Sequence, residues 1–230
     1  MILCIETATV ICSAALCDEH KIIAVTEAPP GMSHASQLTV IIQHLMKENR
    51  ISPSELDAVC VSKGPGSYTG LRIGVSAAKG IAYGAGIPLI GINTLAAMCS
   101  GYLALHPVMP AEGTLLCPMI DARRMEVYNA LFTPDGTIVR ETSASIIDEN
   151  SFTDILSQHR VIFFGNGSEK CAATITGPNA VFEPGFRLSA SYLHIPSVNA
   201  MRNKHFEDLA YFEPYYLKEF IATVPKKLLP

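Results

Sequence analysis

The stretch VSKGPGSYTGLRIGVSAAKGIAYGAGIPLI, residues 61–90, decides the fold, because residue types that begin and end elements separate its parts. The β-branched residues at its start predict a strand, and Gly64-Pro65-Gly66 predicts a tight turn after it. Ser67 or Thr69 can cap the helix that follows, and Pro88 prevents that helix from continuing. The stretch therefore predicts strand, turn, helix and strand, in that order.

The predicted helix has two contrasting faces. One face is polar, and the other is nearly bare of large side chains. The polar stripe consists of Arg72, Ser76, Lys79 and Tyr83. The bare face consists of Gly70, Gly74, Ala77, Ala78, Ile81 and Ala85. Interior glycines such as Gly74 and Gly80 each cost roughly 1 kcal/mol of helix stability relative to alanine. The cost indicates that another backbone approaches the helix closely. That backbone belongs either to this chain's own core or to a partner helix.

Composition predicts a globular protein. Of the 230 residues, 49% are hydrophobic and 17% are charged, and the formal net charge is −4, so a basic face large enough to hold RNA or DNA alone is not expected. The seven cysteines form no Cys-x-x-Cys pair and lie mostly in apolar runs, as buried thiols of a reduced compartment do. No secretory signal is visible at the N-terminus, and the apolar run from Ile73 to Ile92 is interrupted by Lys79 and Pro88. We therefore expect a cytoplasmic protein without a membrane span.

The first part of the chain predicts the order βββαβαβα. Besides the glycine-rich helix, its strands are Ile2 to Ile5, Val10 to Cys17, Lys21 to Glu27, Asp57 to Val61 and Pro88 to Ile92, and its helices are residues 33–49 and 94–105.

The second part repeats that order after residues 106–113, HPVMPAEG, which are rich in element-ending types. Its predicted strands are Leu115 to Ile120, Glu126 to Thr133, Thr137 to Arg140, Val161 to Phe164 and Ala180 to Phe182, and its helices are Phe152 to His159, Glu169 to Ile175 and Ser197 to Phe212. The repetition predicts an α/β fold of two duplicated actin-like (ASKHA) βββαβαβα domains with mixed sheets. These domains are residues 1–105 and 106–230, with the final helix able to pack back on the first.

Four blocks of the sequence resemble the recurring blocks of the TsaB (YeaZ) family. They are MILCIETAT at 1–9, GPGSYTGLRIG at 64–74, IDARRMEVY at 120–128 and PYYLK at 214–218, so the resemblance extends over the whole chain. The glycine block alone is highly specific. Two positions depart from the family pattern, since Glu6 stands where Asp is usual and Met125 where Gly is usual.

The resemblance implies a bacterial cytosolic protein of actin-like fold that acts in making threonylcarbamoyladenosine at position 37 of tRNAs. It implies a non-catalytic subunit that binds and stabilises the catalytic paralogue TsaD, with the ATPase TsaE as third member. Contact with tRNA is then expected only through the complex. Helices of the first domain form that family's dimer surface, so a homodimer is expected when the chain is alone.

We expect docking to use the helices around residues 33–47 and 70–85, the first carrying an apolar stripe and the second the bare face described above. The residues predicted to contact the partner are His34, Leu38, Ile41, Leu45, Gly70, Arg72, Gly74, Ala77, Ala78 and Ile81.

No catalytic residue, metal ligand or cofactor is predicted. The positions that correspond to the metal-binding His-x-x-x-His pair of a TsaD-type transferase are Thr94 and Met98, which cannot replace two imidazoles. The alternative is a weak ATP-binding or ATP-hydrolysing actin-like enzyme. Thr7, Thr9, Gly165 and Gly167 are its candidate nucleotide contacts, although Arg123 and Arg124 stand where acidic and small residues would be wanted.

A glycoprotease-like peptidase is the less favoured alternative. The chain contains no Gly-x-Ser-x-Gly elbow, and Ser67 and Ser76 are better interpreted as a helix cap and a polar-stripe residue.

Overall fold

The computed structural model describes residues 1–108 and 110–217. Two five-stranded mixed sheets with identical topology form its framework. Lys218, the last residue of the fourth sequence block, and Met109 of the predicted boundary lie outside the described residues.

The first sheet has the order β3-β2-β1-β4-β5. Its strands are β1 Ile2–Glu6, β2 Ser13–Cys17, β3 Ile22–Glu27, β4 Ala58–Gly64 and β5 Leu89–Asn93, and the helices of this half are α1 His34–Glu48, α2 Tyr68–Ala85 and α3 Thr94–Leu105. Strand β1 pairs antiparallel with β2 and parallel with β4, and β4 pairs parallel with β5. The β-branched and apolar composition of β1 and β4 fits their position at the centre, where both faces are covered.

The second sheet has the order β10-β9-β6-β7-β8. Its strands are β6 Leu115–Asp121, β7 Glu126–Phe132, β8 Ile138–Ile146, β9 Val161–Phe164 and β10 Ala180–Glu183, with the short helix α4 Thr153–Leu156 between β8 and β9 and helix α5 His194–Arg202 after β10. The parallel and antiparallel pairings match those of the first sheet strand for strand. The predicted duplicated actin-like α/β fold is confirmed.

Apolar layers cover both faces of the first sheet. Helices α1 and α2 cover one face through a core that contains Leu38, Leu45, Val75 and Val61. The other face is covered by α3 together with a 3-10 turn, Ala190–Leu193, and α5 from the end of the chain. The last part of the second repeat therefore belongs structurally to the first sheet.

Several predicted elements have different bounds in the structure. Strand β8 continues to Ile146, beyond the predicted end at Arg140, and α4 is limited to Thr153–Leu156 within the predicted Phe152 to His159. The final helix, predicted from Ser197 to Phe212, is α5 and ends at Arg202, because Lys204 adopts a positive φ of 55° that turns the chain away. The helix predicted from Glu169 to Ile175 is only a 3-10 turn, Glu169–Cys171. Strand β2 begins at Ser13 rather than Val10, whose side chain is 88% exposed.

All seven cysteines are buried free thiols, as the sequence predicts. Burial raises the pKa of Cys12 to about 11 and that of Cys99 to about 12. Among the helices described, none combines the length and the apolar character that crossing a bilayer requires.

Candidate docking surface on two helices of the first half

The glycine-rich helix α2 lies directly on the turn that follows β1. A Cβ on Gly70 would be 2.1 Å from the carbonyl oxygen of Thr7, and a Cβ on Gly74 would be 2.2 Å from the Thr7 hydroxyl oxygen. At its N-terminus, Ser67 caps the helix by accepting a hydrogen bond from the Gly70 amide, and its own amide donates to the Ala8 carbonyl at 2.7 Å. The small residues on the bare face of α2 therefore allow the helix to pack closely against this chain's own backbone.

This packing corrects the predicted docking residues. Six of them are buried in the core of the first half, namely Leu38, Ile41, Leu45, Gly70, Gly74 and Ala78. The apolar stripe of α1 is needed to cover the sheet, and the small residues of α2 are needed to fit beside Thr7. The predicted helices carry exposed surface, and these six residues lie on the sides that face the core.

The outward side of α2 carries a second set of small residues. Ser76, Gly80 and Gly84 are exposed at four-residue spacing, and no atom of the described residues lies within 4 Å of a Cβ placed on Gly80 or Gly84. Ala77 and Ile81 are half-buried beside this set, towards α1. We call the residues Ile73, Ser76, Ala77, Gly80 and Gly84 the outer face of α2.

Of the remaining predicted docking residues, Arg72 is exposed and Ala77 and Ile81 are half-buried on or beside the outer face. His34 is half-buried at the start of α1, where its Nε2 lies 2.9 Å from the Thr9 carbonyl oxygen. Val40, on the exposed side of α1, is 52% exposed and was not among the predicted contacts.

A strap formed by residues 206–217 crosses the first half on the other side of α2. The Glu207 amide donates to the Leu89 carbonyl at 2.8 Å, and the Glu207 carboxylate pairs with Lys63 at 3.0 Å. The ammonium group of Lys79 donates to the carbonyl oxygens of Ala210 and Phe212 at 3.1 and 3.0 Å. These bonds tie α2 to the strap, so α2 runs between α1 and the strap with its outer face exposed.

Sequence reasoning did not identify the strap, because it predicted a helix there. The block PYYLK, beginning at Pro214, was the available signal, since Pro214 and the buried Phe212 fit an extended segment that docks by single anchor residues. Lys79 belongs to the polar stripe predicted from the sequence, but it is half-buried and its ammonium group binds the strap.

The candidate nucleotide contacts are close to other parts of this chain. Thr7 is fully buried against α2, and a Cβ on Gly165 or Gly167 would lie 2.4 Å from the Met119 carbonyl oxygen or 2.7 Å from the Ile120 carbonyl carbon. The Thr9 hydroxyl accepts a hydrogen bond from the Ile11 amide at 3.3 Å. These glycines are explained by close packing on β6.

Apolar side chains fill the space where the two halves meet. This cluster contains Ala8, Leu71, Leu95, Met98, Ile120 and Phe164. Met98 is therefore a core residue, and Thr94 is buried, with no hydrogen-bond partner among the described residues for its hydroxyl. In the described part of the chain, no three or more His, Cys, Asp or Glu side chains are grouped so that they could hold a metal ion.

Glu6 is the buried acid at the end of β1. Its carboxylate accepts a hydrogen bond from the Ala8 amide at 2.6 Å and another from the Ser62 hydroxyl. Burial raises the pKa of Glu6 to about 7, although both hydrogen bonds favour the ionised form. The Glu6 carboxyl is thus a structural group inside the first half.

Arg123 and Arg124 are exposed in the turn between β6 and β7, both with positive φ angles, of 72° and 47°. Lys170 holds the turn by donating to the Asp121 carboxylate and to the carbonyl oxygens of Arg124 and Glu126. Lys170 is therefore paired with Asp121, the acidic residue at the start of this turn, and holds the backbone that follows it.

Comparison with known proteins identifies relatives along most of the chain. The family model described as "TsaD: tRNA N6-adenosine threonylcarbamoyltransferase" matches residues 30–219. The chain is 36% identical over 134 residues to the tRNA threonylcarbamoyladenosine biosynthesis protein TsaB of Escherichia coli, a match that covers 58% of this chain and 55% of the relative. The protein of the same name from Buchnera aphidicola is 25% identical over 223 residues, covering 95% of this chain and 98% of the relative. For the E. coli, Haemophilus influenzae and Bacillus subtilis TsaB proteins, the matched part spans about half of the relative's length.

Two solved structures share the fold. YeaZ from Pseudomonas aeruginosa superposes with a TM-score of 0.77 at 22% identity, covering 94% of this chain and 99% of that one. A protein described as similar to peptidase YEAZ from Pseudomonas aeruginosa superposes with a TM-score of 0.82 at 21% identity, with the same coverage.

Proposed function

Because the chain belongs to the TsaB (YeaZ) family, we propose that it is a non-catalytic subunit required for N6-threonylcarbamoylation of adenosine 37 in tRNA. In this proposal it binds and stabilises its TsaD counterpart, with a TsaE counterpart as third component, in the cytoplasm. It contacts tRNA only as part of the complex. The names of its relatives support the pathway, and the filled space between its two halves supports a role without nucleotide chemistry of its own.

The outer face of α2 is the observation that carries the docking part of the proposal. Gly80 lies in the interior of α2 and costs roughly 1 kcal/mol relative to alanine. No atom of residues 1–108 and 110–217 lies within 4 Å of a Cβ placed there, so packing among these residues does not account for this glycine as it accounts for Gly74. A helix packed on Ser76, Gly80 and Gly84 could come close to the α2 backbone, and Val40 of α1 would add apolar contact area.

The same surface serves two partners in this proposal. Without its TsaD counterpart, the chain pairs with a second copy through the exposed sides of α1 and α2, since a two-fold interface uses one patch twice. The TsaD counterpart then displaces the second copy. Sedimentation of the chain alone and with its TsaD counterpart, over a range of concentrations, distinguishes the monomer, the homodimer and the heterodimer.

Reconstitution tests the proposed role. The TsaD and TsaE counterparts and unmodified tRNA are incubated with the remaining reaction components, with and without this chain, and the modified nucleoside is quantified after digestion. We expect modification to depend on the chain. Equal modification in its absence would refute the proposal, and modification by this chain without its TsaD counterpart would identify it as an enzyme.

A further inference from the structure

Arg72, at the border between the outer face of α2 and the strap, carries the next inference, which rests on the proposed function. Its guanidinium carbon lies 4.3 Å from the centre of the Tyr68 ring and 5.9 Å from that of the Tyr216 ring. Its Nε donates to the Tyr216 hydroxyl at 3.1 Å, and the two tyrosine rings are 4.9 Å apart. An arginine so held has lost much of its rotational freedom before any partner arrives.

The guanidinium of Arg72 differs from several other cations of the chain in its ion pairing. Within residues 1–108 and 110–217, Arg72 forms no ion pair, although five other basic side chains do: Lys63, Arg140, Lys170, Arg187 and Arg202. Glu213 contributes to the field around Arg72 without pairing with it. Because Nε donates to Tyr216, a partner carboxylate would bind the two terminal amino groups, which form a planar fork that matches it.

We propose that Arg72, fixed by Tyr68 and Tyr216, is an anchor that binds a surface carboxylate of the protein docked on the outer face of α2. The anchor joins α2 and the strap in one interface, because Tyr216 belongs to the strap and Arg72 to α2. Arginine and tyrosine are the residue types that most often dominate binding energy at protein interfaces. A protein carboxylate is favoured over an RNA phosphate because Glu213 stands nearby, the net charge is −4, and the adjoining Ser76 and Gly80 are shaped for a close-packed helix.

Affinity for the TsaD counterpart, measured by biolayer interferometry, tests the anchor. We expect Arg72→Ala to weaken binding roughly tenfold or more, and Arg72→Lys to recover only part of that loss because an ammonium lacks the fork. Tyr216→Phe, which keeps the ring and removes the hydroxyl, should cause a smaller loss. Arg160→Ala, an exposed arginine of the second half, is the matched control and should bind as the wild type does.

The salt dependence identifies the chemistry. Raising NaCl from about 50 to 300 mM should weaken the wild type more than Arg72→Ala, because the variant has lost the ion pair. Thermal unfolding checks that each variant is folded. If the wild type binds and Arg72→Ala binds equally well, the anchor is refuted while the proposed function stands. If the wild type does not bind its TsaD counterpart at all, the proposed function itself fails.

A parallel titration with unmodified tRNA distinguishes a protein carboxylate from an RNA phosphate as the group that Arg72 binds. Loss of tRNA affinity in Arg72→Ala, with affinity for the TsaD counterpart unchanged, would overturn the protein carboxylate in favour of an RNA phosphate. Loss of affinity for the TsaD counterpart with tRNA binding unchanged supports the anchor.

Discussion

Gly74 of α2 contacts Thr7 of the turn after β1 so closely that a Cβ on Gly74 would lie 2.2 Å from the Thr7 hydroxyl oxygen. Thr7 is fully buried, and its backbone also contacts α2 at Gly70. Neither Thr7 nor Gly74 can therefore shift without moving the end of β1 or helix α2. This contact explains why a helix at the centre of the first half tolerates glycines. It also separates the glycines needed for folding from those left facing outward.

Gly74→Ala should therefore destabilise the protein, and Gly80→Ala should stabilise it. At Gly74 the added methyl group forces displacement of Thr7, at a cost of about 1–3 kcal/mol for overpacking, which exceeds the gain in helix propensity. At Gly80 the methyl group contacts none of the described residues, so the propensity gain of up to about 1 kcal/mol remains. Urea unfolding of both variants measures the difference. A stable Gly74→Ala variant would show that the helix is not pressed against Thr7.

A large side chain on the outer face of α2 should block docking without unfolding the chain. Gly80→Leu places a large side chain where a partner helix would approach α2, and we expect it to remain folded while co-purification with the TsaD counterpart is lost. Asn199→Leu adds a similar side chain to an exposed position of α5 and serves as the control. Retained binding by Gly80→Leu would move the docking surface elsewhere.

The ammonium group of Lys79 should hold the strap in place. Lys79→Met keeps an apolar stem but removes both hydrogen bonds to the strap carbonyls, which should cost roughly 1–2 kcal/mol locally. Faster hydrogen exchange of the Glu207, Phe212 and Tyr215 amides, by about five- to thirtyfold, is the expected result. Lys47→Met, at an exposed position of α1, should leave these amides unchanged. Unchanged exchange in Lys79→Met would mean that Phe212 alone anchors the strap.

The strands and long helices were predictable because each carries a local signal. The alternation of turn residues with β-branched runs locates β1, β4 and β5, and the glycine block locates α2 with its Ser67 cap. The repetition of one element order is enough to predict two similar sheets.

The choice of helix face was not predictable, because it depends on what packs against each face. Helical periodicity separates Gly80 from Gly70 and Gly74, but only the position of Thr7 shows that the face with Gly70 and Gly74 is the buried one. The strap escaped prediction for a related reason. Some of its contacts join residues more than 130 positions apart, as Lys79 and Ala210 show, and no local pattern encodes such a pairing.

The buried carboxyl of Glu6 should make stability depend on pH. Its pKa of about 7 in the folded protein lies above the ordinary value of 4.5, so the folded state binds the proton more tightly than the unfolded state does. The contribution of Glu6 to stability is therefore fully present below about pH 4.5 and is lost as the pH rises through about 7. The shift corresponds to a contribution on the order of 3 kcal/mol to the free energy of unfolding, which is lost between about pH 4.5 and about pH 7.

Glu6→Gln should abolish this component, because the amide remains neutral at every pH and can still accept the hydrogen bond from the Ala8 amide. We expect the variant to gain stability relative to the wild type as the pH rises from 5 to 8, measured by urea unfolding at each pH. Glu112→Gln, at an exposed position, controls for the general loss of one carboxylate. Parallel stability curves for Glu6→Gln and the wild type across this range would show that Glu6 stays ionised in the folded protein and that its hydrogen bonds outweigh its burial.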